Sequence, residues 1–220
     1  METSGYTQHF LVVDDHEAVL AGTVPALKAK YPDTEILTAQ DRQNAQNMVQ
    51  KYFPDVVLLD LSIPDQPNSN AASEVGIQFL RTLISSKQAP NIMVLSTNVQ
   101  PLVCLKPLIN SYEGGFTAMD KSMPIKEMLR LIDLSLRGLI HLPPSVRSRP
   151  EFDPKWIIVL KLRYQEGLTD KAIAKRMSVS DRTVRNYWVR IQNALEISYD
   201  SDKDIQSQIS IEARKLGLID

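Results

Sequence analysis

The chain has 220 residues, of which 43% are hydrophobic, and its 25 Lys and Arg nearly balance its 26 Asp and Glu. This composition is typical of globular proteins and excludes disordered and collagen-like classes, while the length favours two domains of ~100–150 residues. The apolar stretches are far shorter than the ~20 residues that cross a bilayer. We expect no secretory leader and, with Cys104 as the single cysteine, neither an internal disulfide nor a structural zinc site, which together indicate a cytoplasmic protein.

The first 140 residues alternate short apolar runs with helical stretches. Runs that are apolar throughout are typical of strands buried on both faces, and their alternation with helices predicts a doubly wound, five-stranded parallel α/β sheet. Right-handed crossovers then bring the carboxyl ends of the strands to one edge, where such sheets bind ligands. The predicted strands are 10–14, 35–39, 55–60, 91–96 and 115–119, and the predicted helices include 17–30, 42–52 and 124–137.

A polar, proline-containing segment at 141–150 separates this half from a second half with helical patterns only. The predicted helices there are 155–165, 170–177, 181–195 and 204–218. We therefore predict an α/β domain over 1–138, a linker over 139–151, an all-α domain over 152–197 and a helical tail over 198–220. The apolar stripe of the tail (Ile205, Ile209 and Leu216) can be buried on its own domain, on a second copy of the chain, or on the first domain.

Acidic side chains follow two of the predicted strands. Asp14 and Asp15 come directly after the first strand and Asp60 ends the third, and a sheet ordered 2-1-3-4-5 makes these strands neighbours. Such a cluster repels itself unless a cation is present, and its hard oxygen ligands fit Mg²⁺. An Asp beside Mg²⁺ can attack phosphorus, so an aspartyl-phosphate is plausible. Ser96, at the end of the fourth strand, and Lys121, just past the fifth, can both pair with phosphoryl oxygens.

Two segments carry a resemblance to a known family. Residues 11–17 (LVVDDHE) and 54–64 (PDVVLLDLSIP) resemble the receiver domain of response regulators, over about 8–137, and the NarL/FixJ subfamily in particular. The resemblance implies that a histidine kinase phosphorylates Asp60, with Mg²⁺ bound by Asp14, Asp15, Asp60 and the backbone carbonyl of Ser62. It also implies that Ser96 is the switch hydroxyl and that Lys121 pairs with the phosphoryl group.

Three features depart from the family pattern. The glycine that usually follows the proline of the phosphoacceptor loop by about four residues is here Gly76, so residues 65–75 form a polar insertion that either gates the acceptor or is a passive surface loop. Ala118 stands at the position of the switch aromatic residue, where no ring can turn inward. Pro101 and Pro107 fall in the expected fourth helix, which we therefore predict to be short or broken.

The second half is basic and contains a helix-turn-helix pattern. Residues 145–197 hold 11 basic and 6 acidic side chains, a balance of +5, whereas 1–144 hold 11 and 15, a balance of −4. Thr169 and Ser180 are candidate helix caps on either side of a turn at 178–180, and Val184, Ile191 and either Tyr187 or Trp188 form the buried stripe. Residues early in such a helix reach base edges in the major groove, and nearby cations suit phosphates. The candidate DNA-binding residues are Lys171, Lys175, Arg176, Arg182, Thr183, Arg185, Asn186 and Arg190.

Residues 152–197 also resemble a LuxR-type output domain, on GLT at 167–169, IA at 173–174, VS at 179–180 and TVR at 183–185. Trp156 stands where this family often has an acidic residue that braces the recognition helix, so we do not expect that brace here. Together the two resemblances imply a two-component response regulator and DNA-binding transcription regulator, not an enzyme. The implied partners are a sensor histidine kinase, double-stranded DNA, a second copy of the chain and RNA polymerase, with no membrane.

Two alternatives stay open from the residues alone. Ala118 and the interrupted fourth helix favour a phosphorylation-independent DNA-binding regulator, whose first domain is a docking or dimerisation scaffold. A phosphatase or haloacid-type hydrolase with Asp60 as nucleophile accounts for the acidic cluster but leaves the basic helical half unexplained.

Overall fold

The computed structural model describes residues 7–216, 218 and 219. Contacts divide the chain into two units, with boundaries between Val99 and Gln100, between Pro107 and Leu108, and between Pro143 and Pro144, so that 100–107 belongs to the second unit. Within the described residues, no helix combines the length and the apolar character needed to cross a membrane.

The first unit is built on a parallel sheet with helices, which confirms the predicted α/β fold. The strands are β1 (Gln8–Val13), β2 (Thr34–Ala39), β3 (Val56–Leu59), β4 (Ile63–Pro64), β5 (Ala71–Ala72), β6 (Asn91–Ser96), β7 (Phe116–Asp120) and β8 (Ile140–His141). The strand order in the sheet is β2-β1-β3-β6-β7-β8, and a separate antiparallel pair joins β4 to β5. The order of the first five strands of the sheet is the one expected for a doubly wound fold, whereas the short edge strand β8 falls in the predicted linker.

The helices of this unit form where the sequence supplies caps and an apolar face. Asp41 precedes α2 (Arg42–Tyr52), and its carboxylate accepts a hydrogen bond from the backbone N–H of Asn44 at 2.8 Å. At the other end, Phe53 terminates the helix in the left-handed conformation (φ 49°). The core below the helices is apolar and includes Phe10, Leu58 and Met93. The helices are α1 (Glu17–Lys30), α2 (Arg42–Tyr52), α3 (Ser73–Ile84) and α5 (Ile125–Leu136).

The fourth helix is interrupted, as its prolines predict. A 3₁₀ helix at Gln100–Leu105 is followed by a single five-residue turn, α4 (Lys106–Asn110). Pro101 and Pro107 are each the second residue of their segment, where a missing backbone N–H costs no helical hydrogen bond. The Lys106 ammonium is buried and donates to the backbone carbonyls of Arg147, at 3.0 Å, and Arg149.

The rest of the second unit is all-α, as expected. Its helices are α6 (Pro144–Arg147), α7 (Pro154–Tyr164), α8 (Asp170–Arg176), α9 (Asp181–Ala194) and α10 (Ile205–Lys215). The short α6 lies in the predicted linker, where Val146 is buried. The tail helix packs on its own unit, which is the first of the three alternatives: Ile209 and Leu216 are buried, and Tyr164 of α7 donates to the backbone carbonyl of Gln206 at 2.8 Å.

Candidate functional site

An acidic pocket lies at the carboxyl edge of the sheet. Strands β1 and β3 are parallel neighbours with Val13 opposite Leu59, so the residues that follow them, Asp14 and Asp60, come together. Asp14 is 2% and Asp60 3% exposed. Two buried carboxylates are costly unless a positive charge compensates them.

Lys121 supplies that charge. It follows β7, and its Nζ lies 2.6 Å from Asp14 Oδ2 and 2.6 Å from Asp60 Oδ2. Burial lowers the pKa of Lys121, but the hydrogen bonds to the two carboxylates outweigh this effect and raise the pKa above its ordinary value. The ammonium is therefore charged at neutral pH and bridges the ends of two strands.

The cluster also fits a divalent cation. Ligand atoms of Asp14, Asp15, His16 and Asp60 lie within 4.8 Å of one another. Three carboxylates against one ammonium leave two negative charges, and hard carboxylate oxygens are the ligands that Mg²⁺ prefers. The predicted ligands did not include His16, whose side chain is exposed but whose Nδ1 lies 2.7 Å from Asp15 Oδ1. The signal that could have identified it as a further candidate ligand is its position directly after the acidic pair and before α1.

The remaining predicted residues of this site lie at the same edge. The backbone N–H of Ser62 donates to Asp60 Oδ1 at 3.1 Å, which orients the carboxylate. Ser96 is buried at the end of β6, the strand next to β3, and its carbonyl accepts a hydrogen bond from the Lys121 N–H at 3.2 Å. The structure thus gathers a buried oxygen nucleophile, a hydroxyl and an ammonium at one edge, which is a set suited to accepting an anionic group.

The insertion at 65–75 contains regular structure. Strands β4 and β5 pair with Ile63 opposite Ala72 and Pro64 opposite Ala71, and this hairpin returns the chain to α3. After the hairpin, Gly76 of α3 lies against the Leu61 backbone, where a Cβ would be 2.0 Å from the carbonyl oxygen, so only glycine fits at this position. The hairpin therefore accommodates the extra residues, and Gly76 stays against the backbone of Leu61, next to Asp60.

One face of the hairpin borders a groove beside the acidic pocket. An ion pair between Asp65 and Arg42 of α2 holds the start of the hairpin in place. The groove has a volume of about 630 Å³. Asp15, Pro64 and Pro67 are among the residues that line it. Pro64 and Pro67 thus border the approach to Asp15, while residues 66–71 of the hairpin are exposed.

Ala118, which the resemblance aligns with the switch aromatic residue, offers no ring at this position. It lies in β7 opposite Val94 of β6 and is buried by its neighbours.

The helix-turn-helix geometry is present in the second unit. Thr169 accepts a hydrogen bond from the Ala172 N–H and Ser180 one from the Thr183 N–H, so both predicted caps are in place. Between Tyr187 and Trp188, the alternatives for the buried stripe of α9, the buried one is Trp188. Thr183 is half-buried, with its hydroxyl 2.9 Å from Ser180 Oγ. The other candidate DNA-binding residues are all exposed: Lys171, Lys175, Arg176, Arg182, Arg185, Asn186 and Arg190.

Helix α9 is braced by a contact other than the acidic one that Trp156 replaces. Trp156 packs edge-on against Phe152 with ring centroids 6.0 Å apart. Trp188 instead donates its indole N–H to Asp170 Oδ1 of α8 at 3.0 Å and packs edge-on against Tyr164 of α7. Sequence reasoning missed this pair because the two residues are far apart in the chain.

Comparisons with known proteins agree with this geometry. The response regulator receiver domain family matches residues 10–132. The chain is 26% identical to the transcriptional regulatory protein YdfI of Bacillus subtilis, over 84% of this chain and 88% of that protein. It is 28% identical to the DNA-binding transcriptional activator DevR/DosR of Mycobacterium tuberculosis, over 82% of this chain and 84% of that protein.

Among solved structures, the fold is similar to that of the two-component response regulator RcsB in its DNA complex. The TM-score is 0.60 at 20% identity, over 96% of this chain and 99% of that chain. A second RcsB structure, of two dimers bound to two parallel DNAs, matches with a TM-score of 0.58 at 22% identity, over 93% of this chain and 98% of that one. The acidic edge, the sheet order and these matches place the chain in the response regulator receiver family, and its relatives over most of its length are transcriptional regulators of the NarL/FixJ type.

Proposed function

We propose that this response regulator is phosphorylated on Asp60 by a sensor histidine kinase, with Mg²⁺ held by Asp14, Asp15, Asp60 and the Ser62 carbonyl. The observation that supports this most directly is the double contact of Lys121 with Asp14 and Asp60 in a buried acidic pocket. The Lys121 ammonium and a divalent cation together neutralise the three carboxylates. The pocket can then accept the negative charge of a phosphoryl group.

The residues divide the phosphoryl transfer among them. A carboxylate oxygen of Asp60 attacks phosphorus, the bond from phosphorus to the donor imidazole nitrogen breaks, and that nitrogen keeps the electron pair and takes a proton. Bound Mg²⁺ supplies charge neutralisation for the phosphoryl oxygens. Lys121 pairs with one such oxygen and Ser96 donates its hydroxyl to another, while the Ser62 N–H keeps the carboxylate oriented.

The second unit would carry the output. The exposed cations on α8 and α9 suit a polyanion, with Arg185 and Asn186 near the start of α9 directed at base edges and Lys171 and Lys175 at phosphates. The proposal includes double-stranded DNA as the ligand, dimer formation by the active protein, contact with RNA polymerase and a cytoplasmic location. It assigns no catalytic turnover beyond accepting and hydrolysing the phosphoryl group.

The test uses beryllofluoride, which mimics an aspartyl-phosphate. Adding it with Mg²⁺ to the full chain should change the mass in solution or the affinity for DNA, and Asp60→Ala should abolish that change. No response in either quantity would favour the phosphorylation-independent scaffold instead. Turnover of phosphate esters beyond one equivalent would favour the hydrolase.

A further inference from the structure

The recognition helix α9 carries one exposed apolar side chain. Val189 is 57% exposed, whereas the apolar residues Val184, Trp188 and Ile191 of the same helix are buried. Successive residues turn by about 100° around a helix, so Val189 lies about 140° from Val184 and about 160° from Ile191. Val189 is therefore near the middle of the face that α9 turns to solvent.

The neighbours of Val189 on that face are polar. Arg185 and Asn186 lie one turn before it and Asn193 one turn after it, and all three are exposed. Arg182, two turns before it, is also exposed, and Asp181 at the first position is the acidic residue of this helix. An isolated valine thus interrupts a face of arginines and asparagines.

Helix stability does not explain a valine at this position. A β-branched residue is a weaker helix former than Lys, Arg, Gln or Ala, because its side chain loses rotamer freedom against the preceding turn. Exposure of its methyl groups also forgoes the stabilisation that burial would give. A ligand that covers the side chain compensates both costs.

The chemistry of the face identifies the ligand. Its arginines favour a polyanion over an apolar protein surface, and amide side chains suit the edges of bases. In the major groove of DNA, the apolar group on a base edge is the 5-methyl of thymine. We propose that Val189 contacts a thymine 5-methyl group and so determines sequence specificity at one position of the DNA site.

This inference rests on the proposed DNA-binding function, and the experiment separates the two. A library of random-sequence duplexes is selected with the wild-type full chain, with V189A and, as a matched control, with I158A. Ile158 is a comparable exposed apolar residue, 47% exposed, on α7. We expect wild type and I158A to enrich the same motif, and V189A to lose the preference for thymine at one position of it.

The selected site is then synthesised with uracil at that position, which removes only the methyl group. Wild type should lose about fourfold in affinity, as expected for one buried methyl group, and V189A should show no further loss. Far-ultraviolet circular dichroism of each variant checks that the helix is intact. Unchanged thymine preference in V189A, or uracil tolerated at every thymine of the motif by wild type, overturns the inference alone. Failure of the wild-type chain to enrich any motif overturns it together with the DNA-binding function.

Discussion

The indole N–H of Trp188 and the carboxylate of Asp170 are 3.0 Å apart, and this hydrogen bond joins the two helices of the helix-turn-helix. Trp188 is buried, so its ring packs in the core while its polar edge fixes the angle of α9 against α8.

Removing the donor should destabilise the helix-turn-helix. W188F keeps an aromatic ring but leaves the Asp170 carboxylate without the indole, so we expect a loss of about 1–3 kcal/mol in the free energy of unfolding. Urea titration measures the loss. D170N, which keeps a carbonyl acceptor, is the matched control and should lose less; equal stability of W188F and wild type would show that the bond contributes nothing.

Lys121 should be needed for stability when no divalent cation is bound. K121M removes the charge that compensates Asp14 and Asp60, and breaking such a buried pair costs about 3–5 kcal/mol. We expect D60N to recover much of this loss in the double variant, because one of the two carboxylates is then neutral. Urea unfolding in a chelating buffer makes the comparison. A double variant as unstable as K121M would contradict the charge-compensation argument.

Lys106 should hold α6 in place within the second unit. Its buried ammonium donates to the carbonyls of Arg147 and Arg149, so K106M should leave two backbone acceptors without this donor and expose 144–150 to proteolysis. Limited digestion followed by mass spectrometry locates the cleavage. Lys87 is exposed, and K87M should digest like wild type. If residues 144–150 of K106M resist proteolysis as well as those of wild type, Lys106 does not hold α6 in place.

The stability of the protein should fall at alkaline pH through Tyr164. Burial raises the pKa of Tyr164 to about 12, against about 10 in an unfolded chain. The unfolded state therefore loses its proton first, so the contribution is complete below about pH 10 and is lost as the pH rises to about 12. Y164F should show a smaller alkaline fall in urea unfolding, although it also loses the hydrogen bond to Gln206. Tyr199 is 80% exposed, and Y199F should follow the wild-type profile; an identical profile for Y164F would contradict the prediction.

The sequence alone predicted the helices and strands whose caps and apolar residues lie close together in the chain. Helix α2 has its Asp41 cap and its apolar face within a short stretch, and the carboxyl-edge position of Asp14 and Asp60 follows from parallel strand order alone. Those parts need no knowledge of distant contacts.

Other features depend on contacts between distant residues. The two-residue strand β8 exists because it pairs with Phe116 and Thr117 of β7, and its own sequence carries no strand pattern. Helical periodicity could not separate the adjacent Tyr187 and Trp188, of which the structure buries Trp188, with its indole N–H donating to Asp170 of α8. The hairpin at 63–72 likewise depends on the pairing of Ile63 with Ala72 across the insertion.

Phosphorylation of Asp60, in a pocket completed by Mg²⁺ and Lys121, is the step on which the proposed function depends. Its most direct test is the mass of the intact protein after incubation with acetyl phosphate, a small phosphodonor. We expect addition of a single phosphoryl group that requires Mg²⁺ and is absent in D60A. An unmodified wild-type chain, or a D60A chain that still gains the group, would contradict it.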